Sequence, residues 1–285
     1  MKRFAYGIAA LLLASSVFHG TVYLVDDGGW SGPVSWRKPI LFGFSFGLTL
    51  ATLVWVSGRV RLTPRQERWI LGPLAVASLI EVALIAAQKW RGVPSHLNFA
   101  TPADATISAV LAVTAFLGLI PPIVAITYLA YRRLDAPPEM RLAIRAGLAI
   151  LVLSQFAGGA LIANGRVIGL PPEATDLSIF GAAGQLKVPH AVTLHALQVL
   201  PILAALLALT SWNAGARLRI VVMAAAGYAG IVLVAVLQAL QGRAPADLTA
   251  VTGALLLASA AALLGSGGAA LVRISPAALA RLSRK

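Results

Sequence analysis

Residues 69–88 have the sequence WILGPLAVASLIEVALIAAQ, in which Glu81 is the only charged side chain. A helix needs about 20 apolar residues to cross the hydrocarbon core of a bilayer. Seven further apolar stretches of similar length occur along the chain, so the sequence predicts a protein of about eight transmembrane helices. The eight stretches are residues 4–25, 39–57, 69–88, 105–131, 142–163, 189–211, 220–241 and 248–271.

The composition favours the same class of protein. Hydrophobic residues make up 59% of the chain and charged residues 12%, and the mean hydropathy is +0.84. A soluble domain carries about 25% charged residues. The connections between apolar stretches are short, so we expect residues 1–285 to form a single all-α bundle domain. Within it, the double proline Pro121-Pro122 is expected to kink or split the fourth helix.

The basic residues predict how the chain is oriented. If both termini are cytoplasmic, sixteen of the 23 Lys and Arg residues lie on the inner side and seven on the outer side. Cytoplasmic loops of membrane proteins carry such an excess of positive charge. The inner group includes Arg281, Arg284 and Lys285. The net charge of +13 lies in short clusters between apolar stretches, so it predicts the lipid bilayer as partner and argues against nucleic-acid binding.

A polar track leaves the third helix on the outer side. Glu81 and Gln88 are seven residues apart, so they lie within about 20° of one helix face, with Glu81 about 10 Å deeper. The track then continues with Arg91, His96, Asn98 and Asp104. A carboxylate inside a membrane is costly unless it is paired or protonated, which makes Glu81 a candidate functional residue. The alternative is a glutamate that only fixes helix packing.

The histidines are the other candidates, because the chain has no cysteine. A metal ion or haem would need histidine, carboxylate, methionine or neutral oxygen ligands. His190 and His195 are five residues apart, or about 140° around a helix, so they do not share a face. His195 does share a face with Gln198. His19 lies near the outer end of the first helix, so all four histidines map to the outer half of the membrane.

The start of the second helix, Trp36-Arg37-Lys38-Pro39, has two interpretations. Tryptophan and basic residues commonly anchor helices at the membrane interface. Alternatively, Arg37 or Lys38 neutralises an anionic ligand or pairs with Glu81.

The sequence also contains signs of an internal repeat. Arg37-Lys38-Pro39 begins the second helix, and Lys187-Val188-Pro189-His190 begins the sixth. Gln88-x-x-Arg91-Gly92 ends the third helix, and Gln241-Gly242-Arg243 ends the seventh. Lys38 and Gln88 are separated by 50 residues, Lys187 and Gln238 by 51. Two parallel four-helix halves, as in some transporters, account for this pattern, and so does coincidence.

Three stretches resemble signature sequences of a family of uncharacterised bacterial multi-spanning membrane proteins. They are GPVSWRKPILFGFSFGLTL, EVALIAAQKWRGVPSHLNFATPADA and KVPHAVTLHALQVLP. The resemblance covers much of the first six helices, and it implies a bacterial inner (plasma) membrane location without an activity. Membrane hydrolases related to alkaline ceramidase also resemble this chain in their Ser, His and Asp residues. Here the spacings around Ser95-His96 and between His190 and His195 differ from that pattern.

Three classes of function stay open, and whether the protein is an enzyme stays open with them. The first is a bundle that binds or transports a small molecule in an outward-facing cup. Its lining would be Lys38, Glu81, Gln88, Arg91, His96, Asn98, His195 and Gln198. The second is a redox protein whose b-type haem is held by His19 and His195, with His96 or His190 as a replacement for either. The third is a hydrolase with a divalent metal ion held by His96, His190, His195 and Asp104.

Overall fold

The computed structural model describes residues 1–26, 28–168 and 178–274, and this part of the chain is almost entirely helical. The helices are α1 (Lys2–Val25), α2 (Arg37–Ser57), α3 (Pro64–Trp90), α4 (Pro102–Val113), a π-helix (Thr114–Leu119), α5 (Ile120–Arg133), α6 (Pro138–Ile168), α7 (Lys187–Leu207), α8 (Ala214–Leu240) and α9 (Ala250–Val272). A short antiparallel hairpin of β1 (Ile179–Phe180) and β2 (Gly184–Gln185) precedes α7.

Eight helices in the described residues are long and apolar enough to cross a membrane, as the sequence predicted. Large apolar side chains such as Leu24, Val25 and Leu257 are exposed on them, which suits a surface that faces lipid. The chain is therefore an all-α, multi-pass membrane protein. The sides on which the termini lie stay a prediction, and Arg281, Arg284 and Lys285 lie outside the described residues.

Polar residues set the ends of these helices. The Thr63 hydroxyl oxygen accepts a hydrogen bond from the backbone N–H of Gln66, and the Gln66 side chain accepts from the backbone N–H of Thr63. Together they form a capping box at the start of α3. Asn213 caps α8 in the same way, by accepting from the Ala216 amide. Because these caps lie outside the apolar stretches, α3 and α8 begin earlier than the hydrophobic pattern alone predicted.

The double proline does not split the fourth membrane-spanning helix. Helical residues run from Pro102 to Arg133 without a break, and residues Thr114–Leu119 form a π-helix just before Pro121 and Pro122. A proline lacks an N–H, and its ring clashes with the carbonyl group four residues earlier. Both of those carbonyl groups lie inside the π-helix, whose wider turns give them room. Of the two predicted outcomes, a kink or a split, the split does not occur, and the helix is distorted into a π-helix.

The chain forms two compact units. The first unit comprises Met1–Leu129 and Gly159–Ser178, and the second comprises Ala130–Gly158 and the chain from Ile179 onward. Helices α1 to α4 and the π-helix belong to the first unit, and α7 to α9 belong to the second. Helices α5 and α6 contribute to both. The expectation of one domain over residues 1–285 stays a prediction.

The second unit repeats the helix lengths of the first. Helices α2 and α7 have 21 residues each, and α3 and α8 have 27 each. Lys187 lies 150 residues after Arg37, and Ala214 lies 150 residues after Pro64, so one offset relates both pairs. Buried positions follow the same offset: Trp36, Pro39, Gly43, Gly47, Leu50, Leu53, Val54 and Ser57 correspond to Leu186, Pro189, Thr193, Leu197, Leu200, Leu203, Ala204 and Leu207. The structural register thus pairs Lys187 with Arg37 rather than with Lys38.

A buried serine makes the same contact in each unit. Ser16 on α1 donates from Oγ to the Ile40 carbonyl at 2.7 Å, and Ser154 on α6 donates to the His190 carbonyl at 3.3 Å. His190 lies 150 residues after Ile40, and Ser154 lies 138 residues after Ser16. Helix α6 therefore corresponds to α1 at a second constant offset.

An ion pair repeats in both units with its charges exchanged. In the first unit, the amino group of Met1 lies 3.6 Å from Glu67 Oε1. In the second unit, Glu139 Oε1 lies 3.1 Å from Arg217 Nε. Glu139 lies 138 residues after Met1 and Arg217 lies 150 residues after Glu67, which are the two offsets found above. Each unit therefore contains an ion pair at the equivalent position.

Candidate functional site

The polar side chains at the end of α3 meet in one hydrogen-bonded network. Gln88 donates from Nε2 to Asp104 Oδ1 at 3.0 Å, and Arg91 reaches the same oxygen at 2.7 Å. Arg91 also donates to Gln88 Oε1. Thr101 donates to Asp104 Oδ2 at 2.6 Å. The carboxylate of Asp104 is buried, and both Arg91 and the N-terminus of α4 balance its negative charge.

The loop between α3 and α4 folds around Gln88 and Asn98. Both side chains donate to the Pro94 carbonyl, at 3.4 Å and 3.3 Å respectively. The Asn98 oxygen accepts from the Ala100 amide at 3.1 Å. Asn98, predicted as a ligand-binding residue, is thus used by the loop itself.

Lys38, at the start of α2, contacts the same loop. Its Nζ donates to Ser95 Oγ at 3.3 Å, and Ser95 Oγ lies 2.9 Å from His96 Nδ1. Burial, together with the positive charge of Lys38, lowers the pKa of His96 to about 4. His96 is therefore a neutral imidazole near physiological pH, able to donate one hydrogen bond and accept another. Sequence reasoning did not identify Ser95 as the link between Lys38 and His96.

Glu81 is buried in the middle of α3, and its partner is Thr114, the first residue of the π-helix. The two side-chain oxygens are 2.5 Å apart. Thr114 Oγ1 also lies 2.9 Å from the Val110 carbonyl. When Glu81 is ionised, the Thr114 hydroxyl donates its single hydrogen to Glu81. When Glu81 is protonated, Glu81 donates to Thr114, and the Thr114 hydroxyl donates to the Val110 carbonyl. Both protonation states of Glu81 are thus hydrogen-bonded. No sequence pattern indicated Thr114, which is 33 residues from Glu81.

His19, predicted as a haem ligand, is held by two protein groups. Its Nε2 accepts from Trp90 Nε1 at 3.1 Å, and its Nδ1 lies 2.8 Å from the Ser15 carbonyl. An indole N–H only donates and a carbonyl only accepts, so the ring is neutral with its hydrogen on Nδ1. Its remaining lone pair is occupied by Trp90, so this arrangement leaves His19 no nitrogen for iron. The ring packs against Phe18, Trp36 and Trp90.

His190 and Gln198, two of the predicted residues of the second unit, form hydrogen bonds with nearby backbone. His190 Nδ1 lies 2.9 Å from the Ser154 carbonyl of α6, where Gly158 leaves room for the ring. The Gln198 amide, oriented so that its nitrogen meets acceptors, donates to the Leu194 and His195 carbonyls of its own helix at 3.1 and 3.2 Å. A ligand-binding role for His195 and Gln198 stays a prediction.

The predicted metal site gains no support from the structure. Across residues 1–26, 28–168 and 178–274, no three His, Asp or Glu side chains are grouped closely enough to hold a metal ion. Of the predicted ligands, His96 and Asp104 belong to the first unit, and His190 and His195 belong to the second. Metal binding therefore stays a prediction.

The two units have a glutamine at equivalent positions but differ in some of the polar residues around it. Gln238 occupies the position of Gln88 and makes the same loop contact, donating to the Ala244 carbonyl at 3.1 Å. Three of the polar residues of the first unit are not repeated. At the offset of 150 residues, Lys38, Glu81 and Ser95 correspond to Val188, Ile231 and Pro245. The glutamine is thus common to both units, whereas Lys38, Glu81 and Ser95 belong to the first unit alone. Beside Gln238 the second unit has a different charged pair, Arg243 and Asp247.

Comparison of the chain with protein-family models, curated proteins and solved structures finds no match. The class of protein is the one that the fold defines, an all-α protein with eight helices in its described residues that are able to cross a membrane. The family resemblance noted in the sequence stays a prediction.

Proposed function

We propose that the chain consists of two parallel copies of a four-helix unit and that the first copy carries the binding site of a transporter for a small ligand. The site is the first-unit cluster, defined as Lys38, Glu81, Ser95, His96 and Thr114. It faces the outer side of a bacterial plasma membrane, where the histidines and the polar track were predicted.

The difference between the two units carries this proposal. Val188 and Ile231 line the same cavity in the second unit, so their counterparts Lys38 and Glu81 occupy the corresponding region of the first. The second unit builds the same helices and the same glutamine-capped loop with apolar residues there. The fold therefore does not need these polar groups. Because polar groups inside a membrane protein are costly, their presence in the first unit indicates a function.

The cluster suits a small anion such as a carboxylate. Lys38 supplies a positive charge, and Ser95 and the neutral His96 supply hydrogen bonds beside it. Glu81 can take up a proton without losing its contact with Thr114. A proton on Glu81 removes the negative charge that would repel an anion, so binding and protonation are coupled.

Infrared spectroscopy of the purified protein tests the role of Glu81. We expect the carbonyl-stretch band of a protonated, buried carboxylic acid in the wild type, and we expect it to disappear in Glu81→Gln. Small carboxylates added one at a time should shift the band in the wild type but not in Lys38→Met. Glu67→Gln is the matched control, because Glu67 lies on the same helix but is paired with Met1 and Lys2.

Transport is then measured in proteoliposomes that enclose a pH-sensitive dye. A gradient of the carboxylate that shifts the band should move protons in the wild type and in Glu67→Gln, but not in Glu81→Gln. A band that survives Glu81→Gln, or proton movement that is equal in all three proteins, would contradict the proposal.

A further inference from the structure

The second unit contains a cavity of about 110 Å³ beside α7, α8 and α9. Most of its wall is apolar. Its apolar side includes Val188, Val192, Ile231, Val234 and Ala235, and its polar lining residues are Gln185, Gln238 and Arg243. It lies where the first unit has its cluster, so the two units use the same place in the fold differently.

One polar atom of Gln238, a residue that lines the cavity, is left unsatisfied. Gln238 is 3% exposed and donates from Nε2 to the Ala244 and Asp247 carbonyls, at 3.1 and 2.7 Å. These two acceptors fix the orientation of its amide group. Within the described residues, its Oε1 is buried without a hydrogen-bond partner. In the first unit the equivalent oxygen, of Gln88, accepts from Arg91, but the second unit has Gln241 at that position.

We infer that this cavity binds a small, mainly apolar molecule with one hydrogen-bond donor, such as a short-chain alcohol. Its hydroxyl group donates to Gln238 Oε1, and its carbon chain contacts the apolar wall. A dry cavity of about 150 Å³ binds benzene, which has six non-hydrogen atoms, so a cavity of about 110 Å³ takes a ligand of about four. The inference concerns the second unit and does not depend on the proposed function of the first.

Photolabelling tests this site directly. The protein in nanodiscs is exposed to a short alkanol that carries a diazirine ring, and labelled peptides are mapped by mass spectrometry. We expect labelling of the α7 and α8 segments that contain Val192 and Ala235. The parent alkanol should prevent it at about a tenfold lower membrane concentration than the alkane with a methyl group in place of the hydroxyl, as expected of one buried hydrogen bond. Equal protection by the two competitors would overturn the inference.

Two variants fill the cavity with side chains that the first unit has at the same positions. Ala235→Ile copies Ile85, and Val192→Phe copies Phe42. Both should abolish the protected labelling. Ala229→Ile, at an exposed position of α8, should leave it unchanged. Thermal unfolding confirms that each variant is folded, and protected labelling that persists in either folded, cavity-filled variant would also overturn the inference.

Discussion

Glu139 and Arg217 form the ion pair of the second unit, and Glu139 is 2% exposed. Glu139→Gln leaves the positive charge of Arg217 without its partner, so we expect a loss of about 3 kcal/mol in the free energy of unfolding. The equivalent change in the first unit, Glu67→Gln, affects a more exposed pair and should cost less than about 1 kcal/mol. Denaturant unfolding in detergent measures both values.

The first unit shows that this contact also works with the charges exchanged. The double variant Glu139→Arg, Arg217→Glu places the acid on α8, as Glu67 is placed on α3. We expect it to recover more than half of the stability lost in Glu139→Gln. Failure to recover would mean that the two ion pairs are not equivalent contacts.

His96 makes the stability of the first unit depend on pH. Its pKa is about 4 in the folded chain and 6.5 when unperturbed, because burial and the charge of Lys38 disfavour the imidazolium form. As the pH falls, the unfolded chain therefore takes up the proton first. The contribution of His96 is complete above pH 6.5 and is lost as the pH falls toward 4.

Unfolding temperatures measured between about pH 8 and pH 4 test this dependence. The wild type should lose stability over the lower half of this range, and His96→Gln should lose less. Lys38→Met should also be less sensitive to pH, because the pKa of His96 then moves back toward its ordinary value. Identical slopes for the wild type and His96→Gln would show that His96 is not buried as a neutral group.

The sequence predicted some site residues and not others, for a physical reason. Glu81 and Gln88 stand out because each interrupts an apolar stretch. Thr114 does not, since a hydroxyl side chain is common in membrane helices and its position depends on the π-helix. His19 was found in the sequence, but its role was not, because its partner Trp90 lies 71 residues away.

At the scale of helices, the apolar stretches predicted which segments cross the membrane but not how they end or bend. Hydropathy carries no information about capping side chains such as Thr63 and Asn213, which extend α3 and α8 beyond the predicted bounds. The proline pair indicated a distortion in the fourth span. Its form depends on packing, because Gly118 in the π-helix is close to Ala77 and leaves no room for a side chain.

The π-helix should revert to α-helix when the two prolines that follow it are replaced. Pro121→Ala with Pro122→Ala restores two N–H donors and removes the clash with the preceding turn, so we expect the unfolding temperature to rise by several degrees. Loss of the π-helix turns Thr114 by about 100° relative to α5 and away from Glu81. The infrared band of Glu81 should therefore shift. Pro201→Ala, inside α7, should leave the band unchanged. An unshifted band in the double variant would show that the two prolines do not cause the π-helix.

At the scale of the whole molecule, the two-copy proposal predicts how equivalent positions face the membrane. Arg65 and Gly215 are exposed residues 150 positions apart at the starts of α3 and α8, and four of the described spans begin between them. An even number of crossings returns the chain to the same side. An inverted repeat, by contrast, would place equivalent positions on opposite sides.

The chain has no cysteine, so single cysteines can be introduced without further changes and labelled from one side of the membrane. Arg65→Cys and Gly215→Cys should react from the same side, which the basic residues predict to be cytoplasmic. Phe99→Cys and Ala246→Cys, in the exposed loops that follow α3 and α8, should react from the opposite side. Labelling of Arg65→Cys and Gly215→Cys from different sides would exclude parallel copies.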